Sequence, residues 1–130
     1  MRVKCIKIIN PITGDEQANS PWLTVGKEYW VWEVSWGVSQ KLIDFRFEHD
    51  DANSPALSNA KLFEVTCDFI PSTWSIQSIP DQRFSIGPRS WQVDGFWVAY
   101  FDGELWAREL YQREVKAMCA EEAAYLSKLV

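Results

Sequence analysis

The side chains of this chain best equipped for chemistry are a short run of carboxylates around one imidazole: Asp44, Glu48, His49, Asp50 and Asp51. His49 is the only histidine. Nucleophilic catalysis needs a base bonded to its nucleophile and held by a third group. No motif flanks His49 to supply either, so it reads as a solvated loop side chain. The carboxylates could attract a hard cation, but the ligand order and glycine of a calcium loop are missing. Gly26-Lys27 lacks the upstream glycine and following hydroxyl of a phosphate-binding loop. Cys5, Cys67 and Cys119 are odd in number, far apart and set in apolar segments. That is neither a disulfide framework nor a zinc spacing, and three buried free thiols suit a reducing compartment. The expectation is therefore no catalytic residue, no metal and no cofactor. The carboxylates read as a solvated strand face or as a docking surface for cationic side chains.

Composition points the same way. In 130 residues, 47% hydrophobic content is enough to bury the core of one domain. The formal charge of −5 disfavours phosphate backbones and anionic lipid and favours a basic partner. Base stacking on tryptophan ordinarily comes with a cationic groove, and here 13 Lys and Arg face 18 Asp and Glu. The opening Met1 to Asn10 is too short and too interrupted by lysine for a signal peptide, and no apolar run reaches membrane-span length. A cytoplasmic protein without nucleic-acid or membrane partners is expected.

The elements that must position these residues are mostly strands. Residues 2 to 9 carry Val3, Cys5 and Ile9 against Ile6 and Ile8, as in a central strand buried on both faces. Turn residues make 10 to 21 a loop. Between 27 and 36 the even positions hold Trp30, Trp32, Val34 and Trp36, which predicts that the even face is buried. A two-residue turn at Gly37-Val38 would pair Trp30 with Phe45 and Trp32 with Ile43 inside. Outside, it would pair Lys27 with Glu48, Tyr29 with Arg46 and Val31 with Asp44. An acidic loop follows from 48 to 55. A third strand spans 61 to 70 with Phe63, Val65, Cys67 and Phe69 on one face, and short strands run through Trp74-Ile76 and Phe84-Ile86. From 95 the residues favour helix: a turn or two to Phe101, a cap at Asp102, then a long helix with its stripe through Ala107, Tyr111, Val115, Met118, Tyr125 and Leu129. The fold class is α+β in one domain, 1–130: an antiparallel sheet over 1–87, able to roll partway into a small barrel, with a mostly helical region over 94–128 packed on it.

Eight tryptophans require an account. Trp30, Trp32 and Trp74 share faces with aliphatic neighbours and read as core, whereas Trp22 and Trp36 lie at strand ends, where they could bind a peptide or glycan.

Three blocks carry a resemblance: Ser20-Pro-Trp-Leu-Thr-Val-Gly-Lys-Glu-Tyr29, Phe63-Glu-Val-Thr-Cys-Asp-Phe-Ile-Pro-Ser-Thr-Trp74 and Ile86-Gly-Pro-Arg-Ser-Trp-Gln-Val-Asp-Gly-Phe-Trp-Val-Ala-Tyr-Phe-Asp-Gly103. Together they resemble small bacterial immunity proteins of polymorphic or contact-dependent growth-inhibition toxin systems. The resemblance implies a non-enzymatic cytoplasmic antidote that binds the C-terminal domain of its cognate toxin, often a nuclease, and blocks its active site or substrate groove. On that footing Asp44, Glu48, Asp50 and Asp51, flanked by Tyr29 and Trp36, are the expected toxin-facing patch. Glu104, Glu109 and Glu121 form a second acidic candidate, but the interleaved Arg108 and Arg113 suit helix-stabilising ion pairs. The competing expectation is a small-barrel recognition module that binds a peptide or glycan on Trp22 and Trp36.

Overall fold

Alternating side chains let a strand bury one face, and this chain uses that device in two antiparallel sheets that share an apolar core. The computed structural model describes residues 1–37, 42–51, 54–79 and 83–129. In the smaller sheet β1 (Arg2–Cys5) lies between β4 (Glu28–Trp30) and β8 (Phe63–Cys67). The larger sheet runs in the order β7 (Pro55–Asn59), β6 (Leu42–Glu48), β5 (Glu33–Gly37), β10 (Arg83–Pro88), β9 (Trp74–Ile79). A two-residue pair, β2 (Ile8–Ile9) with β3 (Glu16–Gln17), stands apart, and the sheets do not close into a barrel. Two helices, α1 (Phe96–Phe101) and α2 (Leu105–Ser127), complete the α+β architecture. Among the described residues, no helix is long and apolar enough to cross a membrane.

The first core lies between the two sheets: Val3 and Cys5 of β1, Phe45 and Phe47 of β6, and Phe63 of β8, joined by Tyr29 and Val31. Phe47 is completely buried, with the Tyr29 ring 4.8 Å and the Phe63 ring 5.2 Å away. The second core joins Trp32 and Trp91 to Phe96, Ala99 and Tyr100 of α1 and to Ala107, Tyr111 and Met118 of α2. Gly95 takes φ 76° where the chain turns into α1, and Gly103 takes φ 79° where it leaves. This left-handed backbone is cheap only for glycine, and at Gly103 it forms the short turn that joins α1 to α2, the α1–α2 corner. Residues 104 to 127 contain neither glycine nor proline, which lets α2 run uninterrupted.

Several sequence expectations need correction. The strand foreseen over 27–36 breaks into β4 and β5, which belong to different sheets. Tyr29, Val31, Glu33 and Ser35 are the most buried, but β5 is covered on both faces: Val34, an even position, packs on the core between the sheets beside Phe45, whereas Glu33 and Ser35 share the opposite face with Arg46 and Asp44, and Trp32 at the break is buried too. Trp30 is partly exposed instead of core. In the β5–β6 hairpin Trp36 pairs with Ile43 and Glu33 with Arg46, four residues away from the predicted register. Gly37 pairs with Leu42, and the remainder of the predicted turn, from Val38, lies outside the described residues. So does Pro80-Asp81-Gln82, read as the link between β9 and β10. Ile6, foreseen in a doubly buried strand, is exposed between β1 and β2, and the loop of 10–21 contains β3. β7 begins where the acidic loop was expected to end. Val65, placed on a buried face, is exposed. Asp102 closes α1 and does not cap α2, whose N-cap position is Glu104. The helix stripe is buried at Ala107, Tyr111 and Met118, but Tyr125 and Leu129 are exposed. Glu122, which broke that stripe in the sequence, is buried because the Met1 amino group and the Arg2 guanidinium meet its carboxylate at 3.1 Å and 3.2 Å.

Candidate interaction surfaces

The carboxylates around β6 divide by the partners they meet. Asp50 accepts from the Thr24 hydroxyl at 2.7 Å, from the Tyr29 hydroxyl at 3.1 Å and from Lys27. Burial opposes ionisation of Asp50, but these hydrogen bonds together with the Lys27 charge hold its carboxyl below the usual aspartate value. Tyr29 is only 5% exposed, so it is a core ring and no flank of a surface patch. Burial, aided by the neighbouring Asp50, pushes its phenol up to about 12. Glu48 accepts from the Tyr111 hydroxyl at 2.8 Å, tying β6 to α2. Trp36 is half-buried and stacks on Phe84 at 5.5 Å. Asp44 is half-buried in the row between Ser35 and Asn59, and Asp51 alone of the set is exposed. His49 is also committed: its ring stacks on Phe47 at 4.2 Å and its Nε2 lies 2.7 Å from the Ser58 hydroxyl.

The face of the larger sheet turned toward α1 is polar. Pairing places Arg46, Glu33 and Gly87 in one row and Asp44, Ser35 and Ser85 in the next. Glu33, 7% exposed, accepts from Arg46 Nε at 3.0 Å. Arg46 also donates to the Pro55 carbonyl at 2.8 Å and lies 4.0 Å from the centre of the Trp97 ring. A Cβ on Gly87 would sit 3.2 Å from Glu33 Cγ, so the absent side chain there makes room for the buried carboxylate. Between this face and α1 lies a cleft of about 430 Å³, bordered by Arg83, Asp94, Trp97 and Val98. Both of its arginines are engaged: Arg46 with the Glu33 carboxylate, and Arg83 with the Ser35 hydroxyl at 3.0 Å. That arrangement locks the sheet to α1. Among the described residues, no group of three or more His, Cys, Asp and Glu side chains gathers as a metal site.

The α1–α2 corner is built differently. From 90 to 107 the charged residues are Asp94, Asp102 and Glu104, with no Lys or Arg among them. All three are exposed, and none takes part in an ion pair among the described residues. Around them Val98 is 68%, Phe101 51%, Leu105 70% and Trp106 46% exposed. On α1, Phe96, Ala99 and Tyr100 turn inward and Trp97 packs beside them, which by helical geometry sends Val98 and Phe101 to the opposite flank. On α2 the burial of Ala107 and Tyr111 likewise leaves Leu105, Trp106 and Glu109 outward. The nearest base, Arg108, is turned back: its Nε donates to the Tyr100 carbonyl at 2.8 Å and its guanidinium lies 4.1 Å from the centre of the Tyr100 ring. Apolar side chains so exposed and so rimmed by one sign of charge have the composition of an interface centre.

Sequence reasoning weighed Glu104, Glu109 and Glu121 as a second acidic candidate and preferred for them a ladder of ion pairs along α2. Among the described residues that ladder is absent, and Glu121, the third acid of that group, instead accepts from Ser72 backbone and hydroxyl at 2.8 Å and 2.9 Å. The usable signal was the base-free acidic run through an aromatic segment, broken by Gly95 and Gly103. Neither a family model, nor a curated protein, nor a solved structure matches this chain.

Proposed function

We propose that this chain is an immunity protein: it binds a cognate toxin domain, a nuclease above all, and neutralises it by covering the active site or substrate groove with an acidic surface. The α1–α2 corner is the observation that supports this reading. Its carboxylates Asp94, Asp102 and Glu104 are unpaired among the described residues, and the exposed Val98, Phe101, Leu105 and Trp106 are their neighbours in sequence. A nuclease must hold a cationic surface toward phosphate, and an acidic competitor can occupy that surface and associate quickly. Phe101 and Trp106 supply the large anchors that concentrate binding energy. No reaction is required of the protein in this role.

Binding of a peptide or glycan on exposed tryptophan is the second reading. It is supported by Trp22, 52% exposed beside a groove of about 300 Å³ that also touches His49 and Asp51. The two readings separate on salt. The chain is co-expressed with the toxin domain encoded beside its gene, and the purified pair is titrated at low and high ionic strength. Tight binding that weakens with salt and abolishes toxicity is the expected result. A chain that leaves the toxin active, and takes up an oligosaccharide or peptide equally well at both salt levels, would replace the first reading with the second.

A further inference from the structure

The two edges of the larger sheet are not equivalent. β7 is guarded: it begins at Pro55, whose carbonyl is taken by Arg46, and its Ser58 hydroxyl is held by His49. β9, Trp74-Ser-Ile-Gln-Ser-Ile79, contains no charge and no proline. It ladders with β10 on one side through an unbroken register, and residues 76 to 79 have no other backbone hydrogen bond among the described residues. The edges of the smaller sheet carry Glu28 in β4 and Glu64 in β8. Soluble proteins commonly block a free edge with charge, proline or a bulge, because unpaired backbone groups invite another strand. β9 has none of these, and Ile76 stands 66% exposed on it.

The geometry points to a two-fold dimer in which β9 pairs antiparallel with β9 of a second copy. Two observations favour a copy of this chain, and a third makes β9 the edge at which copies can meet. An antiparallel strand centred on Ile76 is complementary to itself, placing Ile76 opposite its counterpart and Trp74 opposite Ser78. The apolar row that runs Phe45, Val34, Ile86, Ile76 across the sheet would then continue through the two-fold axis into the same row of the second copy. Two chains of charge −5 repel each other, and the uncharged β9 is an edge along which they can approach closely. The contact is small against the ~1,000 Å² of a stable interface, so the dimer forms only in concentrated solution.

Sedimentation equilibrium and light scattering from low micromolar to about 500 µM test this. The expected mass rises from the 15.1 kDa of one chain toward twice that value. Amides 76 to 79 should become slower to exchange over the same range. Ile76→Lys, an exposed site at which lysine is the usual edge guard, should weaken association at least ten-fold with an unchanged melting temperature. Should that variant unfold, Ser78→Lys, also exposed, makes the same test. Val65→Lys, on the other sheet, should leave the dimer intact. A single-chain mass at every concentration overturns the proposal, as does a dimer that survives lysine on β9.

Discussion

The carboxylates around β6 and those of the α1–α2 corner share one charge and comparable aromatic neighbours, but Asp50, Glu48 and Glu33 of the first are bound into the fold, whereas the second are displayed. Asp50, Glu48 and the nearby Glu33 each meet a donor from another element: Lys27, Tyr111 and Arg46. Asp94, Asp102 and Glu104 meet none among the described residues, and Arg108, within reach in sequence, is held by Tyr100. A dense acidic stretch in a sequence therefore identifies a surface poorly. What decides is whether the fold brings a donor to each carboxylate.

The largest effect belongs to the engaged set. Glu33→Ala leaves Arg46 without its carboxylate under Trp97 and should cost about 3–5 kcal/mol, seen as a large fall in urea midpoint. A variant as stable as the parent would mean that the Glu33–Arg46 pair contributes little to the fold. Next, Phe101→Ala with Trp106→Ala should weaken toxin binding by about 2–4 kcal/mol while costing stability far less, since both rings are half in solvent. Titration calorimetry beside thermal melts separates the two effects, and undiminished affinity would remove the corner as the interface.

Charge reversal is expected to be milder and kinetic. Asp102→Lys with Glu104→Lys should slow association about ten-fold at low salt and converge on the parent at high salt. Asp44→Lys with Asp51→Lys should change it by less, and stopped-flow rates in the opposite order would return the interface to β6. The smallest effect concerns Asp50. Its folded pKa lies below the unfolded value of 3.8, so its stabilising contribution is present above that pH and is lost as pH falls through the folded value. Asp50→Asn should accordingly be less stable by about 1 kcal/mol at neutral pH, with the two melting curves converging in acid below 3.8. A gap that stays constant into strong acid would show that the ionised form of Asp50 contributes nothing.

The helices and most strands were legible because their signals are local. Glycine and proline punctuation marked α1 and α2, and alternation located β6, β8, β9 and β10. The break between β4 and β5 was not legible. Tyr29 to Ser35 reads as one continuous β-prone run, and only the demand of two sheets for separate strands divides it. That break displaces the hairpin register and turns Tyr29 inward, which leaves Trp36, half-buried, as the one aromatic flank of the expected patch. β7 was hidden because Pro55, Ser58 and Asn59 argue for loop, although an edge strand tolerates a proline at its first residue. The acidity that suggests a binding protein was visible from composition, whereas its place depends on contacts such as Tyr111 to Glu48 that join residues 63 positions apart.

The unequal burial of the tryptophans makes the protein its own optical reporter. Trp32 and Trp91 are sealed in the helix-facing core, where loss of tertiary packing would shift their emission to longer wavelength, while Trp106 already meets water at the corner. Dehydration of Trp106 by a bound protein would shift emission the other way. One spectrum, without an added dye, can thus distinguish a variant that has unfolded from one that has merely lost its partner.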